Sequence, residues 1–181
     1  MQMKGAQSRM AVYFLYAAMV QGAAAVIITF LAAFGDQIKL LPVSASRVIA
    51  GGEAGNWFTV GYLAYLIVGV VAMAVTSMFY FYIETVEGRT YKGISKSFAW
   101  VHLILGNLGV AGAAFLAMWG GYWGGAGMQP AQFGGKGWDT GQVHVNVLGA
   151  LTMPIAALLT LALIGFVLGG IGYLIAMRSK A

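Results

Sequence analysis

The sequence predicts an all-α integral membrane protein, a bundle of four transmembrane helices with both termini cytoplasmic. Three observations carry that prediction. Only 8% of the 181 residues are charged, while 60% are hydrophobic. A soluble domain carries about 25% charged residues, so a water-soluble fold is excluded. The mean hydropathy of +0.82 agrees. Third, the few charges are bunched, and they leave four long uncharged or nearly uncharged stretches between them.

Each stretch reads as a span. The first lies between Arg9 and Asp36 and predicts a helix over about 10–34. It is too long for the h-region of a signal peptide, and Ala-Ala-Phe-Gly-Asp is a weak cleavage match. The second lies between Glu53 and Glu84 and predicts 55–83. The third, between Lys96 and Lys136, is apolar over 97–123. The fourth, between Asp139 and Arg178, predicts 142–177. Crossing about 30 Å of hydrocarbon takes roughly 20 apolar residues, and all four qualify. The fourth is long enough to project, tilt or bend at Pro154. The longest connections are 35–53 and the Gly/Trp-rich 119–139. No soluble domain or strong repeat interrupts the chain, so a single membrane domain over 1–181 is expected.

Orientation follows from the Lys/Arg asymmetry. With a cytoplasmic N-terminus the inner side holds Lys4, Arg9, Arg89, Lys92, Lys96, Arg178 and Lys180, and the outer side Lys39, Arg47 and Lys136. Trp57, Trp119, Trp123 and Trp138 then fall near the outer interface, and Phe79–Tyr82 and Trp100 near the inner one, as aromatic anchors do. The expected location is the plasma membrane of a prokaryote, as a multi-pass protein. The net charge of +5 is too thinly spread for nucleic-acid binding.

Within the spans the informative residues are small or polar. Gly106, Gly109 and Gly112 mark one side of the third helix, and Gly165 and Gly169 form a GxxxG pair in the fourth. Gly120/Gly124 and Gly121/Gly125 repeat that spacing. Such faces let helices approach closely. They serve either packing within the bundle or docking of a partner subunit. Asn107 and Asn146 are intramembrane amides suited to interhelical hydrogen bonds.

An ionisable residue inside a membrane is a functional candidate by default, and there are two histidines, His102 and His144. Bis-histidine ligation of one haem needs both imidazoles at one depth. This topology separates them by about 20 Å along the normal, so a shared haem is not expected. The alternatives are separate ligation with outside partners, or a packing role in which His102 bonds a neighbouring helix and His144 an interfacial group. The chain has no cysteine, so thiolate metal sites and disulfides are excluded. No carboxylate pair lies within a span, and no Ser-His-Asp set, phosphate loop or HExxH motif is present. The ten methionines are scattered as core filling.

One family resemblance runs through these residues. Asn56-Trp57-Phe58-Thr59-Val60-Gly61-Tyr62-Leu63-Ala64-Tyr65 resembles the stretch of haem–copper oxidase subunit I that carries a His-Phe-His haem-ligand motif. The aromatic end Phe79–Tyr82, the loop Glu87-Gly88-Arg89-Thr90-Tyr91, the helix from Phe98 to Gly109, the turn Gly127-Met128-Gln129-Pro130 and the start Val145–Gly149 follow in the family's order. The chain thus resembles the last four helices of that subunit, over about 56–177. Tyr62 and Ala64 stand where the family has haem-ligating histidines. Gln129, Pro130 and Ala131 stand where it has the arginine pair that holds the propionates. The resemblance, with both ligand sets missing, implies no haem bound in the oxidase manner, although tyrosinate ligation through Tyr62 is chemically available.

The expected function is therefore a non-catalytic, accessory membrane subunit of a respiratory oxidase or other membrane metalloenzyme complex. Its expected partners are other integral membrane subunits, with lipid or quinone in a groove between helices and no cofactor of its own. The competing readings are a haem b electron carrier using His102 or His144, and a small transporter. Against the transporter stands the lack of intramembrane carboxylates and of matched broken helices.

Overall fold

A computed structural model describes residues 9–178, of which the elements are helical throughout; among the described residues there is no strand. Lys4 and Lys180, counted above for orientation, lie outside the described residues. Four helices are long and apolar enough to cross a membrane: α1 (Arg9–Phe34), α3 (Ala54–Val86), α4 (Ile94–Met128) and α5 (Thr140–Arg178). A short helix, α2 (Ala45–Ala50), sits in the connection between α1 and α3. α1 ends at the expected Phe34, and every other end of the long helices runs one to five residues beyond the expected span.

The helices are arranged as a chain of neighbours. α5 lies along α4, α4 lies along the first half of α3, and the second half of α3 lies along α1. The switch of partner within α3 has a local cause. Residues Tyr65–Val71 form a π-helical stretch between two α-helical ones. A π turn takes up an extra residue and rotates the following face by about 100°. The face that leaves α4 is therefore delivered to α1. Gly69 sits against the Tyr65 ring at this point, its absent Cβ 3.1 Å from Tyr65 Cδ2.

Two apolar clusters result. At the end where α1 begins and α5 stops, Met10, Phe14, Ala18, Met73, Tyr80, Ile83, Tyr91, Ala99 and Ala176 are buried together. At the opposite end Val43, Val48, Phe58, Tyr65, Ala114, Met118, Tyr122 and Ala126 form the second. The opposite end is closed by its two connections. Tyr122 Oη accepts from Val43 N–H and donates to Val43 C=O at 2.7 Å. The amides of Lys136 and Trp138 both donate to Gly127 C=O, folding the 129–139 connection back onto α4. The Arg47 guanidinium stacks 3.7 Å from the Phe133 ring centre, joining the two connections. Asp139 and Gln142 form a reciprocal capping box that starts α5. α5 then continues through Pro154, whose ring faces outward.

Candidate functional site

The glycines of α4 and α5 decide how closely those helices meet. A Cβ on Gly109 would stand 2.6 Å from Leu158 O and 2.7 Å from Ala162 N. One on Gly165 would stand 2.8 Å from Gly106 N. Gly106 and Gly112 face Phe166 and Leu158 of α5. These four glycines are therefore covered by the chain's own helices, which corrects the alternative of a partner subunit docking on them. Gly121 and Gly125 do the same against α3 and the α2 connection, where Phe58 N and Val48 Cγ1 fill the space.

Gly169 has a different neighbour, the imidazole of His102. His102 is buried to 9% exposure. Its Nδ1 lies 3.2 Å from Tyr80 Oη. The Phe14 ring centre is 4.9 Å from it, and the Phe166 ring stands edge-on at 5.7 Å. His102 is thus where all four long helices meet: Phe14 from α1, Tyr80 from α3, Phe166 and Gly169 from α5. Tyr80 is 2% exposed, so it is a core residue, whereas its neighbours Phe79, Phe81 and Tyr82 are exposed. That corrects the reading of Phe79–Tyr82 as a uniform interfacial belt. Tyr91, in the connection between α3 and α4, packs 5.0 Å from the Tyr80 ring. Its hydroxyl is sealed and has no hydrogen-bond partner. Burial pushes that phenol above its ordinary range, so it stays protonated.

A second polar group crosses the bundle nearer its middle. Tyr65 Oη donates to Gln21, contacting both its side-chain and main-chain oxygens. Gln21 in turn reaches Asn107 Oδ1 at 3.4 Å. Asn107 Nδ2 bonds Leu103 O of its own helix. Asn107 therefore links α4 to α1. Asn146 does not link helices: it is exposed, and its amide donates to Gln142 O one turn back. The interhelical role expected of Asn146 is corrected, because the face of α5 carrying it turns away from α4.

Tyr62, half-buried, stands 2.6 Å from Thr29 Oγ1 of α1. Thr29 donates to Ala25 O, so its oxygen accepts from the Tyr62 phenol. His144 is exposed at the start of α5. Because His102 packs on Gly169, about 37 Å of helical rise separates the two histidines along α5, more than the expected 20 Å. The structure therefore does not bring His102, His144 and Tyr62 together. Among the described residues no three His, Asp or Glu side chains stand close enough to hold a metal ion.

An apolar recess lies elsewhere. α3 and α5 stand apart where both rest on α4, and the gap is a lateral groove of about 680 Å³. Its floor is small and apolar: Gly61 and Ala64 from α3, Ala113, Ala114 and Ala117 from α4. Asn56 and Trp57 lie at one end and Phe166 at the other. Between Ile155 and Phe166 the groove follows α5 for about 17 Å of rise. Gln21 and Phe166 were not singled out from the sequence, and Tyr65 and Tyr80 were named there only within longer aromatic stretches. Gln21 carried a signal, being a lone amide inside an uncharged run. The others are aromatic residues in an aromatic-rich chain, and no local pattern marks their partners. Comparisons of the chain with protein-family models, with curated proteins and with solved structures find no match.

Proposed function

We propose that this protein is a non-catalytic integral membrane subunit of a larger membrane complex, of the respiratory oxidase or another metalloenzyme type. It lies in a prokaryotic plasma membrane with both termini cytoplasmic, and its lateral groove lodges the hydrocarbon chain of a lipid or quinone. One observation carries the reading. The polar side chains inside the long helices bond to one another or to their own helices, at Tyr80–His102, Tyr65–Gln21–Asn107 and Tyr62–Thr29. The recess that opens sideways is lined almost wholly by apolar groups. Polar groups that join helices, next to an apolar recess, suit a scaffold better than a reaction centre. The Lys/Arg asymmetry supports the orientation.

Purification from the native membrane in a mild detergent tests the main claim. The expected result is stoichiometric recovery of larger membrane subunits with it. Turnover by the isolated chain would overturn the reading. Orientation is tested separately, and the absence of native cysteine makes the experiment clean. An impermeant maleimide applied to intact cells is expected to label Gln132→Cys and not Lys92→Cys; the reverse pattern inverts the topology.

A further inference from the structure

Two recesses adjoin at the end of the bundle where α3 and α5 begin. The first is a cleft of about 300 Å³ between the 129–139 connection and the end of α4, walled by Trp123, Gly127, Lys136 and Trp138. The second, of about 310 Å³, lies between α1 and α4, where Ile28, Leu31, Phe115, Met118 and Trp119 wall it. Trp123 belongs to both, and their linings run through the consecutive residues Leu41 and Pro42. From Gly127 to Phe115 the pair follows α4 for about 18 Å of rise. Lys136 lines the cleft, whereas the lining of the second recess carries no charged residue.

The turn that carries Lys136 is built to bring it there. Its amide donates to Gly127 C=O of α4. Gly134 and Gly137 on either side hold φ of 85° and 66°, which residues with a side chain rarely adopt. The ammonium lies 4.5 Å from the Trp138 ring centre. The ring takes one face of the ammonium, and Lys136 is exposed, so donors remain for an anion. The neighbouring carboxylate, Asp139, accepts from Gln142 N–H and caps α5. A cation at one end and an apolar recess at the other suit an amphiphile. A small anion gains nothing from the recess, and a hydrocarbon gains nothing from Lys136. A zwitterionic lipid brings its own cation next to Lys136. An anionic phospholipid uses both ends.

We propose that these adjoining recesses bind an anionic phospholipid of the phosphatidylglycerol type. Its phosphate accepts from Lys136 Nζ in the cleft, and one acyl chain passes over Trp123 into the recess between α1 and α4. The Trp138 ring holds the ammonium at the cleft, at the level where tryptophan meets the membrane surface. The site is separate from the groove between α3 and α5, and stands or falls independently of what fills that groove.

The test uses the purified protein in mild non-ionic detergent and two phospholipids with identical bromine-labelled chains, phosphatidylglycerol and phosphatidylcholine. Contact between bromine and Trp119 or Trp123 quenches tryptophan emission. Wild type is expected to reach half-saturation at about fivefold less phosphatidylglycerol than phosphatidylcholine, the scale of one lysine at an anionic lipid surface. The preference is expected to shrink at 1 M salt. Lys136→Gln, an exposed change that leaves the turn's backbone bonds intact, is expected to abolish it. Lys92→Gln removes the same charge at the other end of the bundle and is expected to leave it, as is Ala64→Phe in the α3–α5 groove. Ala32→Phe, which fills the apolar recess, is expected to remove the saturable quenching by both lipids. Glycerol phosphate, a headgroup without chains, is expected not to displace the lipid. Equal half-saturation by the two lipids, a preference that survives Lys136→Gln, or one that Lys92→Gln removes equally overturns the proposal. Displacement by glycerol phosphate would replace the lipid by a free phosphate and overturn it too. A preference lost only in Ala64→Phe would move the lipid to the other groove.

Discussion

Two faces of α4 are built from small residues and do opposite things. On the face toward α5 the residues are glycines, and the neighbour's backbone fills the space of the missing Cβ, as Leu158 O and Ala162 N do at Gly109. On the face toward the groove they are alanines, and the methyl groups of Ala113, Ala114 and Ala117 look into a recess. The first face is small because another helix is already there. The second is small because Gly61 of α3 packs close to Ala114 and Ala117, and beside that contact it lines the recess. In lipid, helix association depends on close van der Waals packing rather than on hydrophobic drive. The glycine seam is therefore where the fold is held, and the alanine face also borders a recess.

The largest expected effect lies in the seam. Gly109→Val is expected to cost about 3 kcal/mol, because backbone atoms on α5 are the obstacle and neither helix can yield locally. Gly170, on the same helix as Gly165 and Gly169, has nothing within 4 Å of its absent Cβ. Gly170→Val is expected to leave stability unchanged. Reversible unfolding in detergent, followed by circular dichroism, measures both. A Gly109 variant as stable as the Gly170 one would break the distinction between the faces.

Next in size is the junction. His102→Leu is expected to cost about 2 kcal/mol, since it leaves the buried Tyr80 hydroxyl without its imidazole partner. Adding Tyr80→Phe is expected to recover part of that loss, so the double variant should be more stable than the sum of the singles. Strict additivity in that cycle would mean the Tyr80–His102 bond holds nothing.

Filling the recess should cost far less. Ala64→Phe points a ring into open groove and is expected to change stability by no more than about 0.5 kcal/mol, the range of substitutions outside the packed core. Its effect belongs to the binding of a chain in the groove. A large loss of stability would show that the groove wall is part of the seam.

The four long helices were legible because they follow from charge placement alone: each run between Arg9, Asp36, Glu53, Glu84, Lys96, Lys136, Asp139 and Arg178 is long enough to span. The close approach of glycine-bearing faces was legible for the same kind of reason, since a missing side chain acts locally. What covers a face is not local. Whether Gly109 meets α5 or a partner depends on where α5 lies, and the π stretch at Tyr65–Val71 sends the second half of α3 to α1 without any proline to announce it. The groove lies where α3 and α5 rest apart on α4, so no residue in it carries a signal of its own. His102 was legible as a buried histidine bonded across helices. Its partner was hidden because Tyr80 sits among Phe79, Phe81 and Tyr82, and only the helical phase separates the buried ring from the exposed ones.

The smallest expected effect tests the same rule from its other side. Asn107 and Asn146 look alike in the sequence, each an amide inside a long helix. Asn107 lies on the buried side of α4 and reaches Gln21 of α1. Asn146 lies on the outward side of α5, and its amide bonds Gln142 O within the same helix. Removing a bond across helices leaves a partner group unsatisfied; removing a bond within one exposed turn leaves a carbonyl that is still engaged in or near its own helical ladder. Asn107→Ala is expected to cost about 1 kcal/mol and Asn146→Ala less than about 0.5 kcal/mol. The pair is best measured side by side in one unfolding series, since the inequality matters more than either value. If Asn146→Ala proves the costlier, that face of α5 is not the exposed turn that its burial and its bond to Gln142 describe.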